Sequence, residues 1–113
     1  MSRLDSVIRR LQAQRICLDW AVGEISGRPG PVLELGLGNG RTYDHLRDRL
    51  SGGDPGREIF VFEREVAAHP DCVPDDAHLL LGDVYDSMPG AMARIGAPAV
   101  LAHSDIGTGD AEL

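Results

Sequence analysis

Val32-Leu33-Glu34-Leu35-Gly36-Leu37-Gly38-Asn39-Gly40, followed at once by Arg41-Thr42-Tyr43-Asp44-His45-Leu46, reads as a strand that runs into a glycine turn and then a helix. The apolar run Val-Leu-x-Leu, entered through Pro31, suits a short strand covered on both faces, as in parallel sheets. Three glycines on alternate positions remove side chains where the backbone turns sharply and a ligand approaches closely. The helix that follows directs its free N–H groups toward that ligand. A dinucleotide-binding turn requires G-x-G-x-x-G. Counted from Gly36 and Gly38, the third glycine of that pattern falls on Arg41.

Outward from this turn the chain alternates helix and strand. Residues 2 to 25 read as one long helix, opened by Ser2 and Asp5 in a capping-box spacing, with Leu4, Val7, Ile8, Leu11, Leu18, Val22 and Ile25 on one face. Trp20 widens its apolar surface, so the helix is expected to pack on the sheet or on a partner. Gly27-Arg28-Pro29-Gly30-Pro31 ends it. A second helix is expected over Arg41 to Leu50, closed by the turn-rich segment Ser51 to Gly56. Glu58 to Phe62 reads as the second strand, ending at Glu63, with Arg64 to Ala68 at most a short helical stretch. Pro70 and Pro74 bracket an irregular acidic loop. His78 to Leu81 reads as the third strand, and a helix loosened by Pro89-Gly90 spans Val84 to Ile95. Ala99 to His103 reads as the fourth strand. The order αβαβαβαβ implies a parallel sheet with right-handed crossovers.

Length and composition set the class. A chain of 113 residues is enough for one small domain, and 42% hydrophobic residues with 4% aromatic give an aliphatic core. The 11 basic and 18 acidic residues leave a net charge of -7, which argues against a nucleic-acid partner. All fixed side-chain cations are arginines, a bias that fits a GC-rich bacterial coding sequence. Cys17 and Cys72 make neither a disulfide framework nor a metal spacing. No apolar signal core or membrane-length run is present, so a cytoplasmic protein with no membrane partner is expected. His69, Asp71, Cys72, Asp75, Asp76 and His78 crowd one segment but lack a ligand spacing, and read as a solvated loop rather than a metal site. Ser104 lacks the G-x-S-x-G context of a nucleophile elbow.

In an open parallel sheet, ligands sit beyond the strand C-termini at the point where strand order reverses. Glu34 with the glycines, Glu63, Asp83 and His103-Ser104-Asp105 all occupy such ends, which points to one composite site. Glu63 lies about 20 residues beyond the last glycine, where an acid meets ribose hydroxyls in nucleotide folds. Glu34 ends a buried strand and needs a partner, for which Arg41 is a candidate.

The pattern Glu34-x-Gly36-x-Gly38-x-Gly40, taken with Phe60-Val61-Phe62-Glu63 and Gly82-Asp83-Val84, resembles the Rossmann-like S-adenosyl-L-methionine-dependent methyltransferases, closest to small bacterial members of unassigned substrate. The resemblance covers about residues 31 to 110 and is strongest at the glycine turn. It implies an α/β fold with a Rossmann-like parallel sheet and flanking helices in three αβα layers, of which only the first four strands are present. It also implies a single domain, with an N-terminal helix and linker over 1–29 and a core over 30–113 that is incomplete at its C-terminus.

The cofactor implied is S-adenosyl-L-methionine, held by Glu34, Gly36, Gly38, Asn39, Gly40, Glu63, Asp83, Val84 and Ser104. Glu63 would bind the ribose, Asp83 and the Val84 N–H the adenine, and Glu34 the methionyl amino group directly or through water. His103 and Asp105 are candidates for base and acceptor orientation, and Gly107-Thr108-Gly109 for close passage of the backbone or a plain turn. A small-molecule acceptor is expected, and an oligomer that covers the edge of the fourth strand. Two other readings stand beside this one: a non-catalytic cofactor-binding or regulatory domain, and a nicotinamide-dependent oxidoreductase half, the latter disfavoured by Arg41.

Overall fold

The computed structural model describes residues 1–51 and 57–104. Helix α1 spans Arg3–Glu24, strand β1 Val32–Leu35, helix α2 Arg41–Ser51 and strand β2 Ile59–Glu63. Two 3-10 turns, Pro70–Cys72 and Asp76–His78, lead into β3 (Leu79–Leu81), followed by α3 (Val84–Ile95) and β4 (Leu101–Ser104). The four strands form one parallel sheet in the order β3-β2-β1-β4. The chain therefore builds outward from β1 through β2 to β3, then returns through α3 to lay β4 on the other side of β1. The reversal places a switch point between β1 and β4.

Alternation along β2 divides the core. Ile59 and Val61 join Leu18, Ile25, Val32, Leu46 and Leu50 beneath α1 and α2, while Phe60 and Phe62 join Leu80 and Ala91 beneath α3. Phe62, Leu46, Val32 and Val61 are fully buried. Each such side chain contributes roughly 1.5–3 kcal/mol by leaving water.

Helix α1 starts as the sequence implies. The Ser2 hydroxyl accepts from the Asp5 amide at 3.0 Å, and the Asp5 carboxylate accepts from the Ser2 amide at 3.1 Å. Its apolar face does not pack along its whole length. Leu18 and Ile25 are buried, but Leu4 is 68% exposed and Val7 and Ile8 are also exposed. The reason is length: α1 has 22 residues and α2, against which it lies, has 11. Only the C-terminal half of α1 finds a neighbour, held there by Asp19, which pairs with His45 at 2.6 Å and Arg49 at 3.2 Å. Trp20 is exposed on α1 rather than in the core.

Four further expectations are corrected. No helix forms over 64–68. The acidic segment is not irregular: His69 and Asp75 cap the two short turns, accepting from the amides of Asp71 and His78. Strand β4 begins two residues later than expected and includes Ser104. Helix α3 runs unbroken through Pro89, and Gly96 at φ 77° closes it.

Candidate functional site

The glycine turn is built by the sheet that precedes it. The Gly36 amide continues the ladder, donating to the Phe62 carbonyl at 2.7 Å, and Leu37 then folds inward to full burial. The Gly40 amide returns to the Leu37 carbonyl at 2.9 Å, and α2 starts as the Asp44 amide bonds the Gly40 carbonyl at 2.9 Å. Gly36, Gly38 and Gly40 all adopt the left-handed region, at φ 91°, 55° and 85°. Residues with a Cβ rarely adopt it, which explains three glycines on alternate positions. At Gly40 space is also lacking: a Cβ would stand 2.6 Å from Cβ of Cys72 and 2.9 Å from its carbonyl oxygen. The Asn39 side chain accepts from the Arg41 amide at 3.1 Å and so fixes the entry to α2.

Glu63 at the end of β2 faces this turn. Its Oε2 accepts from the amides of Leu37 at 2.7 Å and Gly38 at 3.0 Å, and its Oε1 from the Arg64 amide at 2.8 Å. A carboxylate has about four lone-pair sites, so three amides leave it capacity for one more donor. Next along, the Gly82 amide bonds the Glu63 carbonyl at 3.0 Å, which brings the end of β3 beside the end of β2. Asp83 caps α3: its Oδ1 accepts from the Tyr85 amide at 2.9 Å. Val84 is the first residue of that helix, and its amide is one of the donors a helix N-terminus leaves unused. Tyr85 beside it is 90% exposed, an aromatic at the rim that the sequence reading passed over.

Across the switch point, Glu34 is fully buried and its Oε1 lies 2.6 Å from Nδ1 of His103. The register pairs these residues on neighbouring strands, on the face that carries α1 and α2. Among the described residues Glu34 thus pairs with His103, where the sequence suggested Arg41. Arg41 is near in sequence, while His103 is brought in only by the reversal of strand order. Ser104 ends β4 and is exposed. Asp105 and residues 107–109 lie outside the described residues. Among the described residues no cluster of metal-binding side chains forms, and the two cysteines are not joined.

Carboxylates therefore stand at the ends of β1, β2 and β3, with a glycine turn at the first. That set suits a ligand carrying an amine, a ribose diol and a further exocyclic amine, and S-adenosyl-L-methionine has all three. A parallel sheet with helices on both faces and this strand order defines a Rossmann-like α/β domain. The particular family follows from comparison: a family model described as S-adenosyl-L-methionine methyltransferase matches residues 1–113, and the chain belongs to that family. Among solved structures, an S-adenosyl-L-methionine methyl transferase from Silicibacter pomeroyi DSS-3 is similar, with a TM-score of 0.83 and 51% identity over 99% of this chain and 66% of that one. No curated protein matches the chain.

Proposed function

We propose that this chain binds S-adenosyl-L-methionine at the glycine turn and transfers its methyl group to a small-molecule acceptor. The observation that carries the reading is Glu63, whose carboxylate is held against the turn by the Leu37 and Gly38 amides, where a ribose would be met. The family and the similar structure support it. When bound, the cofactor supplies a methyl group on a positive sulfur, ready for attack by a nucleophile.

The residues divide the work by their chemistry. Glu63 accepts from a ribose hydroxyl through its remaining lone pair. Asp83 Oδ2 accepts from the adenine amine and the Val84 amide donates to a ring nitrogen. Glu34 faces the methionyl ammonium, while Gly36, Gly38, Asn39 and Gly40 let the backbone pass close beside the ligand, and Ser104 closes the crevice from β4. Glu34 fixes His103 with the proton on Nδ1, so Nε2 is the nitrogen that accepts a proton when the acceptor must lose one. Asp105 orients the acceptor. Most of the rate comes from alignment of acceptor and methyl group.

A cofactor-binding module without turnover is the second reading. Among the described residues β4 pairs on one side only, with β1, and an oligomer pairing along its other edge would shield it. No described helix is long and apolar enough to cross a membrane. A bacterial cytoplasmic setting, and a partner that is not nucleic acid, agree with the lysine-free composition and the charge of -7.

Calorimetric titration with S-adenosylhomocysteine, with NAD as the control ligand, tests the cofactor. Binding of the first alone is expected, and binding of NAD alone would overturn the reading. Transfer of labelled methyl from S-adenosyl-L-methionine to an acceptor mixture then separates an enzyme from a binding module.

A further inference from the structure

The overhanging half of α1 does more than leave apolar residues in water. Its stripe continues past Leu18 to Leu11 and Ile8, and with the first turn of α2 it walls a groove of about 310 Å³. That lies within the usual range of small-molecule sites, about 300–1,000 Å³. Ile8, Leu11 and Leu18 make one side apolar, and Arg15, Arg41 and Thr42 supply the polar groups.

Two observations indicate what fits there. Thr42 is 4% exposed and lines the groove, yet its Oγ1 has no hydrogen-bond partner among the described residues. A buried hydroxyl without a partner costs about 1–3 kcal/mol, which a ligand would recover once the Thr42 side chain turns its hydroxyl toward the groove. In addition, the guanidinium groups of Arg15 and Arg41 form no ion pair among the described residues. In that layer Asp19 is held by His45 and Arg49, Asp44 by Arg47 and Asp48 by Arg49. Two unpaired cations on one apolar groove are notable in a chain of net charge -7. They are matched to a carboxylate, which guanidinium groups bind with forked, charge-assisted hydrogen bonds.

We infer that this α1–α2 groove binds an organic carboxylate with an apolar body: Arg15 and Arg41 take the carboxylate, Thr42 bonds it from below, and Ile8, Leu11 and Leu18 cover the stem. Arg41 directly follows Gly40, so the groove adjoins the glycine turn. On the methyl-transfer reading above, the ligand is the acceptor, anchored by its carboxylate while another group receives the methyl. The N-terminal half of α1 is then part of the acceptor site.

The test is titration of the full chain with octanoate, followed by amide chemical shifts in solution, with octan-1-ol as a neutral control. Shifts at Leu11, Leu18 and Thr42 are expected, with octan-1-ol binding more weakly. Arg15→Gln, an exposed change on a helix surface, should weaken octanoate binding about tenfold or more, and Thr42→Val, which keeps the shape, should weaken it too. Equal binding of octan-1-ol, no shifts in the groove, or unchanged affinity in both variants would overturn the inference. S-adenosylhomocysteine affinity is measured on the same samples. No S-adenosylhomocysteine binding by the parent chain, with octanoate bound, would overturn the methyltransferase reading alone, and the converse would overturn this one alone.

Discussion

His103 Nδ1 lies 2.6 Å from Oε1 of Glu34 across the parallel ladder of β1 and β4. Glu34 is fully buried, while the His103 side chain is 24% exposed. Among the described residues, the pair spans the place in the sheet where two strands distant in sequence become neighbours through reversal of strand order. It therefore reports the topology directly.

Cutting that pair should destabilise the protein. His103→Ala removes a partner from a buried acid and should cost about 1–3 kcal/mol, since water reaches the partly exposed side and replaces some of the lost bond. The cost should shrink in a Glu34→Gln background, where the charge is gone. Urea unfolding of the four proteins measures this. An equal cost in both backgrounds would show that the two side chains are not coupled.

The sequence made the local features legible and hid the long-range ones. Gly36, Gly38 and Gly40 reveal a turn by themselves, because left-handed backbone favours glycine wherever it occurs. The capping box at Ser2 and Asp5 is likewise local, within four consecutive residues. A parallel sheet was anticipated from the alternation of helix and strand, but not the partners that its β3-β2-β1-β4 order creates. Glu34 meets His103 only after β4 docks, and Glu63 faces the Leu37 amide from 26 residues away. For α1 the periodicity correctly marked an apolar stripe, but periodicity says nothing of how much of a helix its neighbour can cover.

Glu63→Ala is expected to act twice. It strips an acceptor from the amides of Leu37, Gly38 and Arg64, so the turn loses the anion that fixes its shape. S-adenosylhomocysteine binding should weaken by about 1–3 kcal/mol, the range for a charged acceptor. Calorimetry gives the affinity and thermal unfolding the stability. Affinity equal to the parent chain would remove Glu63 from the cofactor site.

The opposite edge of the sheet carries a pH-dependent link. His78 is bridged by Asp75 at Nδ1 and by Glu58 at Nε2, and its ring lies against Phe60 with centroids 5.0 Å apart. The hydrogen bond to Asp75 is the main cause of a His78 pKa raised above 6.5; Glu58 adds to it and burial opposes it. The folded state therefore binds the proton more tightly than the unfolded chain. This stabilisation is fully present below about pH 6.5 and is lost as pH rises through the folded pKa. The Asp75 pKa is lowered from 3.8, chiefly by the bond to His78, so its share is lost as acid passes that depressed value. Histidine resonances followed against pH should give His78 a midpoint above 6.5, and Asp75→Asn should bring it down. A midpoint unmoved by that change would rule out the bridge.

Two glycine substitutions should have opposite signs. At Gly40 the backbone is left-handed and a Cβ would press on Cys72 from 2.6 Å, so Gly40→Ala must either shift the second wall of the turn or unwind the start of α2. Left-handed backbone alone costs a residue with a Cβ about 1–2 kcal/mol, and the clash adds to it. Gly23, in the last turn of α1, has nothing within 4 Å of an added Cβ. There alanine should stabilise by about 0.5–1 kcal/mol, because glycine loses more freedom in a helix. Unfolding midpoints of both variants decide the point. A tolerated Gly40→Ala, with cofactor affinity intact, would mean the turn does not need the close approach that its glycines permit.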